Sequence, residues 1–213
     1  MQDFEDHTQR CSALVARELA RLDIDIAALS EAGFRELCSL KKDGEGYTLF
    51  WSGKNKDERR LFGVGFMFKT SIVRKSQNLP IGHSDRLMPR RLPIQDKKFV
   101  IVFGVYTPTL QAESGVKEAF YRDLHNFLQQ VDSKDKLLIL KDFNARIGRD
   151  SEPWKEFLGR HGFGNCDDNG RSLLEFYSEH QLVITSTLFQ QKDRLKATLR
   201  HPRFKHWHPL DYA

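Results

Sequence analysis

An α/β fold is predicted by three features of the chain. The segment Leu137-Leu138-Ile139-Leu140-Lys141-Asp142-Phe143-Asn144-Ala145-Arg146-Ile147-Gly148 opens as an apolar run of strand length and breaks at once into a carboxylate, an amide and a glycine. That is how a buried strand delivers polar groups to the rim of a sheet. Strand-like runs at 47–51, 63–69, 86–94 and 98–106 follow one another with only Gly, Pro, Asn and charged turns between them, which suggests antiparallel pairing. Helical periodicity marks two further segments, at 8–22 and 116–131.

At 213 residues the chain can bury one substantial core, and no linker-like composition divides it, so residues 1–213 are expected to form a single domain. The hydrophobic content of 39% excludes a disordered composition. The net charge of +5, from 34 Lys+Arg against 29 Asp+Glu, permits a polyanionic partner without demanding one. Arg86, Arg90 and Arg91 cluster, as do Lys192, Arg194, Lys196, Arg200, Arg203 and Lys205; each run reads as a solvated face or as a phosphate-contacting patch. Cys11, Cys38 and Cys166 stand far apart without zinc spacing, which points to a reduced compartment, nuclear or cytoplasmic. No apolar run approaches membrane-spanning length, and a monomer is the default expectation.

Taken in order, Cys11, Leu14, Val15, Leu19 and Leu22 form the apolar stripe of a first helix. Ile24 to Leu29 reads as a strand ending in Ser30-Glu31-Ala32-Gly33, a second case of strand, carboxylate and glycine. The run Phe99 to Tyr106 is apolar on both faces and is expected to be central, ending in Tyr106-Thr107-Pro108-Thr109. Val116, Phe120, Leu124, Phe127, Leu128 and Val131 mark a second helix. An irregular stretch from Arg149 to Asp168 precedes a helix opened by Asn169-Gly170, and Leu182-Val183-Ile184-Thr185 reads as another buried strand. Ala197-Thr198-Leu199 and Trp207 to Tyr212 are strand-like pieces bracketing the C-terminal basic cluster.

Asp142 offers a hard oxygen ligand or a proton acceptor, and Asn144, two residues on, faces the same way in an extended backbone. An ordinary Asp/Asn turn closing a core strand accounts for the same residues. Glu31 is a second strand-end carboxylate, read as a metal ligand or as a surface or helix-start residue, and Tyr106 reads as a rim aromatic with a satisfied hydroxyl.

The succession of Glu31 after a strand, Tyr-x-Pro at 106–108, Asp-Phe-Asn at 142–144, Thr198 and Leu-Asp-Tyr at 210–212 resembles the endonuclease/exonuclease/phosphatase superfamily. Within it, Asp-Ile-Ala-Ala-Leu-Ser-Glu, Ser-Asp-Arg-Leu-Met, Asp-Phe-Asn-Ala-Arg-Ile-Gly and His-Pro-Arg-Phe-Lys-His-Trp-His look like the endonuclease domain of LINE-type retrotransposons and its host-encoded craniofacial development protein 2-like relatives. The resemblance implies a DNase I-like four-layer α/β sandwich of two mixed sheets flanked by helices, and hydrolysis of a DNA phosphodiester. It implies Mg2+ or Mn2+ held by Glu31, water oriented or deprotonated by Asp142, and phosphate oxygens met by Asn144 and Tyr106. Thr198 matches a position near the phosphate, Asp211 matches the carboxylate that orients a catalytic histidine, and Arg146, Trp207 and Arg86 are expected on the substrate side.

The same resemblance predicts a domain truncated at both ends, without the family's Asn-bearing first strand and its final Ser-Asp-His segment. Lys141 stands where the family places Gly, Ser186 replaces an Asn and Leu199 replaces a Trp. Weak or absent cleavage is therefore one expected outcome. Two other functions stand beside the endonuclease: a catalytically silent nucleic-acid or protein interaction module, and a phosphoesterase acting on inositol phosphates or lipids.

Overall fold

The computed structural model describes residues 2–30, 41–42, 46–52, 63–74, 86–94, 98–192, 196, 199–200, 207–208 and 211–212. Of 2–11, 41–42, 52, 141, 199–200, 207–208 and 211–212 it describes the backbone alone. Two compact units result: residues 1–106 with 131–140, and 107–130 with 141–213.

The first unit holds helix α1 (Gln2–Arg21) and strands β1 (Ile26–Ser30), β2 (Lys41–Lys42), β3 (Tyr47–Ser52) and β4 (Val64–Lys69). These strands form an antiparallel sheet in the order β1-β4-β3-β2. A short helix α2 (Thr70–Val73) leads on to β5 (Leu87–Pro93), β6 (Phe99–Tyr106) and β7 (Lys136–Asp142). In their sheet β6 lies between β7 and β5, as its two apolar faces require. Strand β5 carries Pro89 and Pro93 and occupies the edge, where a missing N–H does least harm.

Period-2 alternation sorts the first sheet into two faces. Phe50, Val64, Phe66 and Phe68 meet Met88, Leu92, Val102 and Tyr106 of the other sheet in one buried cluster, with Leu138 and Leu140 against it. Gly104 makes room there, because a Cβ at that position would lie 2.9 Å from Cζ of Phe66. The intervening residues Tyr47, Leu49 and Met67 turn the other way and pack with Ala16, Val15 and Leu19 of α1.

The stripe expected on α1 is displaced. Leu14 and Leu22 are exposed, while Ser12 and Ala16 are buried. Val15 and Leu19 of the expected stripe do pack on the sheet, so the contact face runs through Ser12, Val15, Ala16 and Leu19, at i, i+3, i+4 and i+7, and leaves Leu14 on its exposed side.

The second unit contains α3 (Ser114–Leu128) and α4 (Asp168–Glu179) and the short strands β8 (Ile147–Gly148) and β9 (Phe163–Cys166). It also contains β10 (Leu199–Arg200), β11 (Trp207–His208) and β12 (Asp211–Tyr212). Strands β10 and β11 pair, and β12 pairs antiparallel with the end of β7, Asp211 opposite Asp142 and Tyr212 opposite Lys141. The β8–β9 hairpin occupies part of the stretch expected to be irregular. Phe120 and Leu124 bury the face of α3, and Tyr121 lies 5.3 Å from the ring of Phe176 on α4. Burial raises the pKa of the Tyr121 and Tyr177 hydroxyls above the ordinary tyrosine range.

Residues 182–185 do not form the expected buried strand. Ile184 makes a single parallel bridge to Leu158, Val183 is exposed, and Thr185–Thr187 turn into a 3-10 helix. The Thr187 hydroxyl bonds Ile184 O at 2.6 Å and receives Gly159 N at 2.7 Å, giving the chain a local alternative to a ladder. Among the described residues Cys166 is a free, exposed thiol, and no helix is long and apolar enough to cross a membrane.

Candidate active site

Strand β7 ends in a tight Asx turn. The Asn144 N–H donates to Asp142 Oδ1 at 2.9 Å, and Asn144 takes a left-handed backbone with φ of 44°, which asparagine tolerates better than most residues. Phe143 between them is buried and meets Tyr177 edge-on at 5.8 Å, anchoring the turn in the core. The turn and the ligand-bearing reading of these residues are thus compatible: the half-buried carboxylate is fixed by its neighbour's backbone.

Two further contacts pin the turn. Thr107, at the start of the Thr-Pro-Thr loop after β6, donates from Oγ1 to Asp142 O at 3.3 Å, and Asn144 Nδ2 donates to Thr107 O at 3.1 Å. Asn169, buried in the first turn of α4, donates from Nδ2 to Asn144 O at 2.9 Å and to Pro108 O at 3.3 Å. The side chain of Asn169 therefore joins the 107–108 loop to the 142–144 turn.

Arg146 is held by the residue that caps α4. Asp167 Oδ1 accepts from Gly170 N at 2.8 Å and from Arg146 N at 3.1 Å, while Oδ2 accepts from Arg146 Nε at 3.0 Å. Gly170 is required there, because any Cβ would collide with Arg146 O. Asp167 and Asn169 were not singled out from the sequence. Asn169 acts on backbone carbonyls and Asp167 on two backbone N–H groups and the Arg146 side chain, and the only sign of them is the run Asp167-Asp168-Asn169-Gly170 before a helical pattern.

In the first unit, Arg86 donates from NH1 to Tyr106 O at 3.2 Å and lies 5.5 Å from the Tyr106 ring centroid. Tyr106 is buried. The arginine cluster is not a uniform solvated face. Arg90 is buried against the Phe50 ring, and Arg91 stacks 3.5 Å over Phe99 while donating to both carboxylate oxygens of Asp135. Glu31 and Thr198 lie outside the described residues, and Asp211 and Trp207 are described by backbone alone.

The Asp142 carboxylate is thus fixed at a strand end, with the Asn144 and Asn169 amides and the Thr107 hydroxyl holding the turn around it, and the whole-chain comparison bears on the fold. AP endonuclease LMAP from Leishmania major superposes with a TM-score of 0.60 over 96% of this chain and 74% of that one, at 13% identity. This chain thus has the mixed α/β, DNase I-like fold of the endonuclease/exonuclease/phosphatase superfamily.

Craniofacial development protein 2 of Bos taurus is 33% identical over 203 residues, covering 93% of this chain and 32% of that protein. The Tragulus javanicus protein of the same name is 32% identical over an equal span, 33% of its length. Over that span the chain is craniofacial development protein 2-like, and it spans about a third of the length of these curated relatives. No family model matches the chain.

Proposed function

We propose that the chain is a divalent-metal-dependent DNA endonuclease of retrotransposon descent, a single four-layer α/β sandwich whose centre of reaction is Asp142. The observation that carries this reading is the Asp142–Asn144 turn, held from Thr107 and Asn169 at the end of a core strand. Its chemistry is that of a fixed acceptor. A carboxylate locked by Asn144 N can orient a water and take its proton as the water oxygen attacks phosphorus and the P–O bond to the leaving sugar oxygen breaks. The Asn144 amide has two N–H bonds; one goes to Thr107 O, and the other is the proposed donor to a phosphate oxygen.

Hard carboxylate oxygens suit Mg2+ or Mn2+, and Glu31 is the proposed carboxylate that would hold the cation, leaving Asp142 to the attacking water. The cation supplies neutralisation of charge on the phosphate. Tyr106 and Thr198 are the proposed phosphate contacts and Arg146, Arg86 and Trp207 the proposed substrate contacts; Asp211 matches the histidine-orienting carboxylate, but the histidine it would orient belongs to the Ser-Asp-His segment that this sequence does not include.

A silent nucleic-acid or protein interaction module is the second reading. It is favoured by the Asn144 side chain turning onto a backbone carbonyl, which a purely structural turn would also do. Nicking of supercoiled plasmid with Mg2+ separates the two. Cleavage that EDTA stops and Asp142→Ala removes supports the endonuclease; salt-sensitive DNA binding without cleavage supports the silent module. Turnover of inositol phosphates without nicking would reassign the substrate.

A further inference from the structure

Helices α3 and α4 end side by side in the second unit with three metal-competent side chains between them. His125 lies in the last turn of α3, Glu179 is the last residue of α4, and His180 is its C-cap. One ligand atom from each lies within 4.8 Å of the other two. None of these residues takes part in the Asp142 turn.

We propose that His125, His180 and Glu179 form a binding site for a borderline first-row divalent cation such as Zn2+. The nitrogen spacing fits: His125 Nδ1 and His180 Nε2 are 3.1 Å apart, and two imidazole nitrogens on one tetrahedral zinc stand about 3.3 Å apart. Glu179 Oε1 lies 3.9 Å from His125 Nδ1, and its side chain is 65% exposed, so a small rotation closes the third edge. A solvent molecule would complete the set.

Pre-organisation and field both favour a cation. The His180 ring packs 4.4 Å from Phe176 and 4.9 Å from the ring of His125, so the two ligands are held before any ion arrives. Both helices present their C-terminal ends, where carbonyl dipoles leave partial negative charge. Two imidazoles and a carboxylate select zinc, nickel or copper over magnesium, which separates this site chemically from the hard carboxylate oxygens proposed for Mg2+ at Glu31. A bound ion would fasten the ends of α3 and α4 to each other.

The alternative is a bare hydrogen bond between the two rings, which has the same spacing. Calorimetric titration of the whole chain with Zn2+ in Mg2+-containing buffer is expected to give one equivalent bound, and His125→Gln and His180→Gln should each weaken it by about tenfold or more. The unsubstituted protein gives a second readout that does not depend on how the variants fold. With 15N-labelled histidine, the His125 and His180 ring resonances should move together during the first equivalent of zinc. Zinc binding unchanged in both variants, or ring resonances that stay still at one equivalent, would overturn the proposal.

Discussion

Asn169 holds Asn144 by its backbone, Nδ2 to O at 2.9 Å, and reaches Pro108 O with the same amide. Replacing it with alanine strands two carbonyls beside a buried gap. At about 1 kcal/mol per net hydrogen bond, Asn169→Ala should lose about 2 kcal/mol in urea denaturation. Because Asn144 is then released, cleavage should fall more than the loss of folded protein explains, which comparison of nicking rates at matched folded fraction will show.

Asp167 joins a helix cap to an ion pair. Asp167→Ala removes the acceptor for Gly170 N and for both Arg146 donors, and should cost about 2–3 kcal/mol. Asp167→Asn retains an oxygen for the cap and loses the charge, so its cost should be about 1 kcal/mol. Equal losses in thermal or chemical unfolding would mean that the cap contributes nothing beyond the charge.

Gln181 follows the C-cap of α4 with φ of 53°, and the Leu182 N–H returns to Tyr177 O at 2.9 Å. That is a left-handed helix stop occupied by a residue with a Cβ. Gln181→Gly should stabilise the chain by about 0.5–1 kcal/mol, since the relief of backbone strain exceeds the added freedom of the unfolded glycine. A lower unfolding midpoint in the variant would contradict this.

Arg91 holds the Asp135 carboxyl below the ordinary aspartate range through its two hydrogen bonds. The folded pKa is depressed, so the pair's contribution is complete above the unfolded value near pH 4 and is lost as pH falls through the lowered folded value. Asp135→Asn should therefore narrow the stability difference from wild type as the solution is acidified below about pH 4. Carbon-13 NMR titration of the Asp135 carboxyl, with and without Arg91→Gln, checks the shift itself.

Strands β3, β4, β6 and β7 are legible in the sequence because burial on one or both faces writes itself as alternation or as an unbroken apolar run. The face of α1 is only partly legible: Val15 and Leu19 pack as their periodicity predicts, but Ser12 and Ala16 are buried beside them where a count of apolar residues favours Leu14 and Leu22. The β8–β9 hairpin hides because its first strand is two residues long and interrupted by a shift in register. At the site, Asp142 and Asn144 stand out as polar residues ending an apolar strand. Their supports do not, since Asn169 and Thr107 bind backbone atoms distant in sequence. The partners of Arg91 are equally invisible: Asp135 lies 44 residues away.

The central claim is that Asp142 accepts the proton of the attacking water. Its most direct measurement is the initial Mg2+-dependent nicking rate of Asp142→Asn against wild type on DNA that both proteins bind equally. The variant is isosteric and keeps an oxygen for Asn144 N, so the turn is preserved while the base is removed. A fall of about 10²-fold or more with unchanged DNA binding is the predicted result; equal nicking rates would contradict the account.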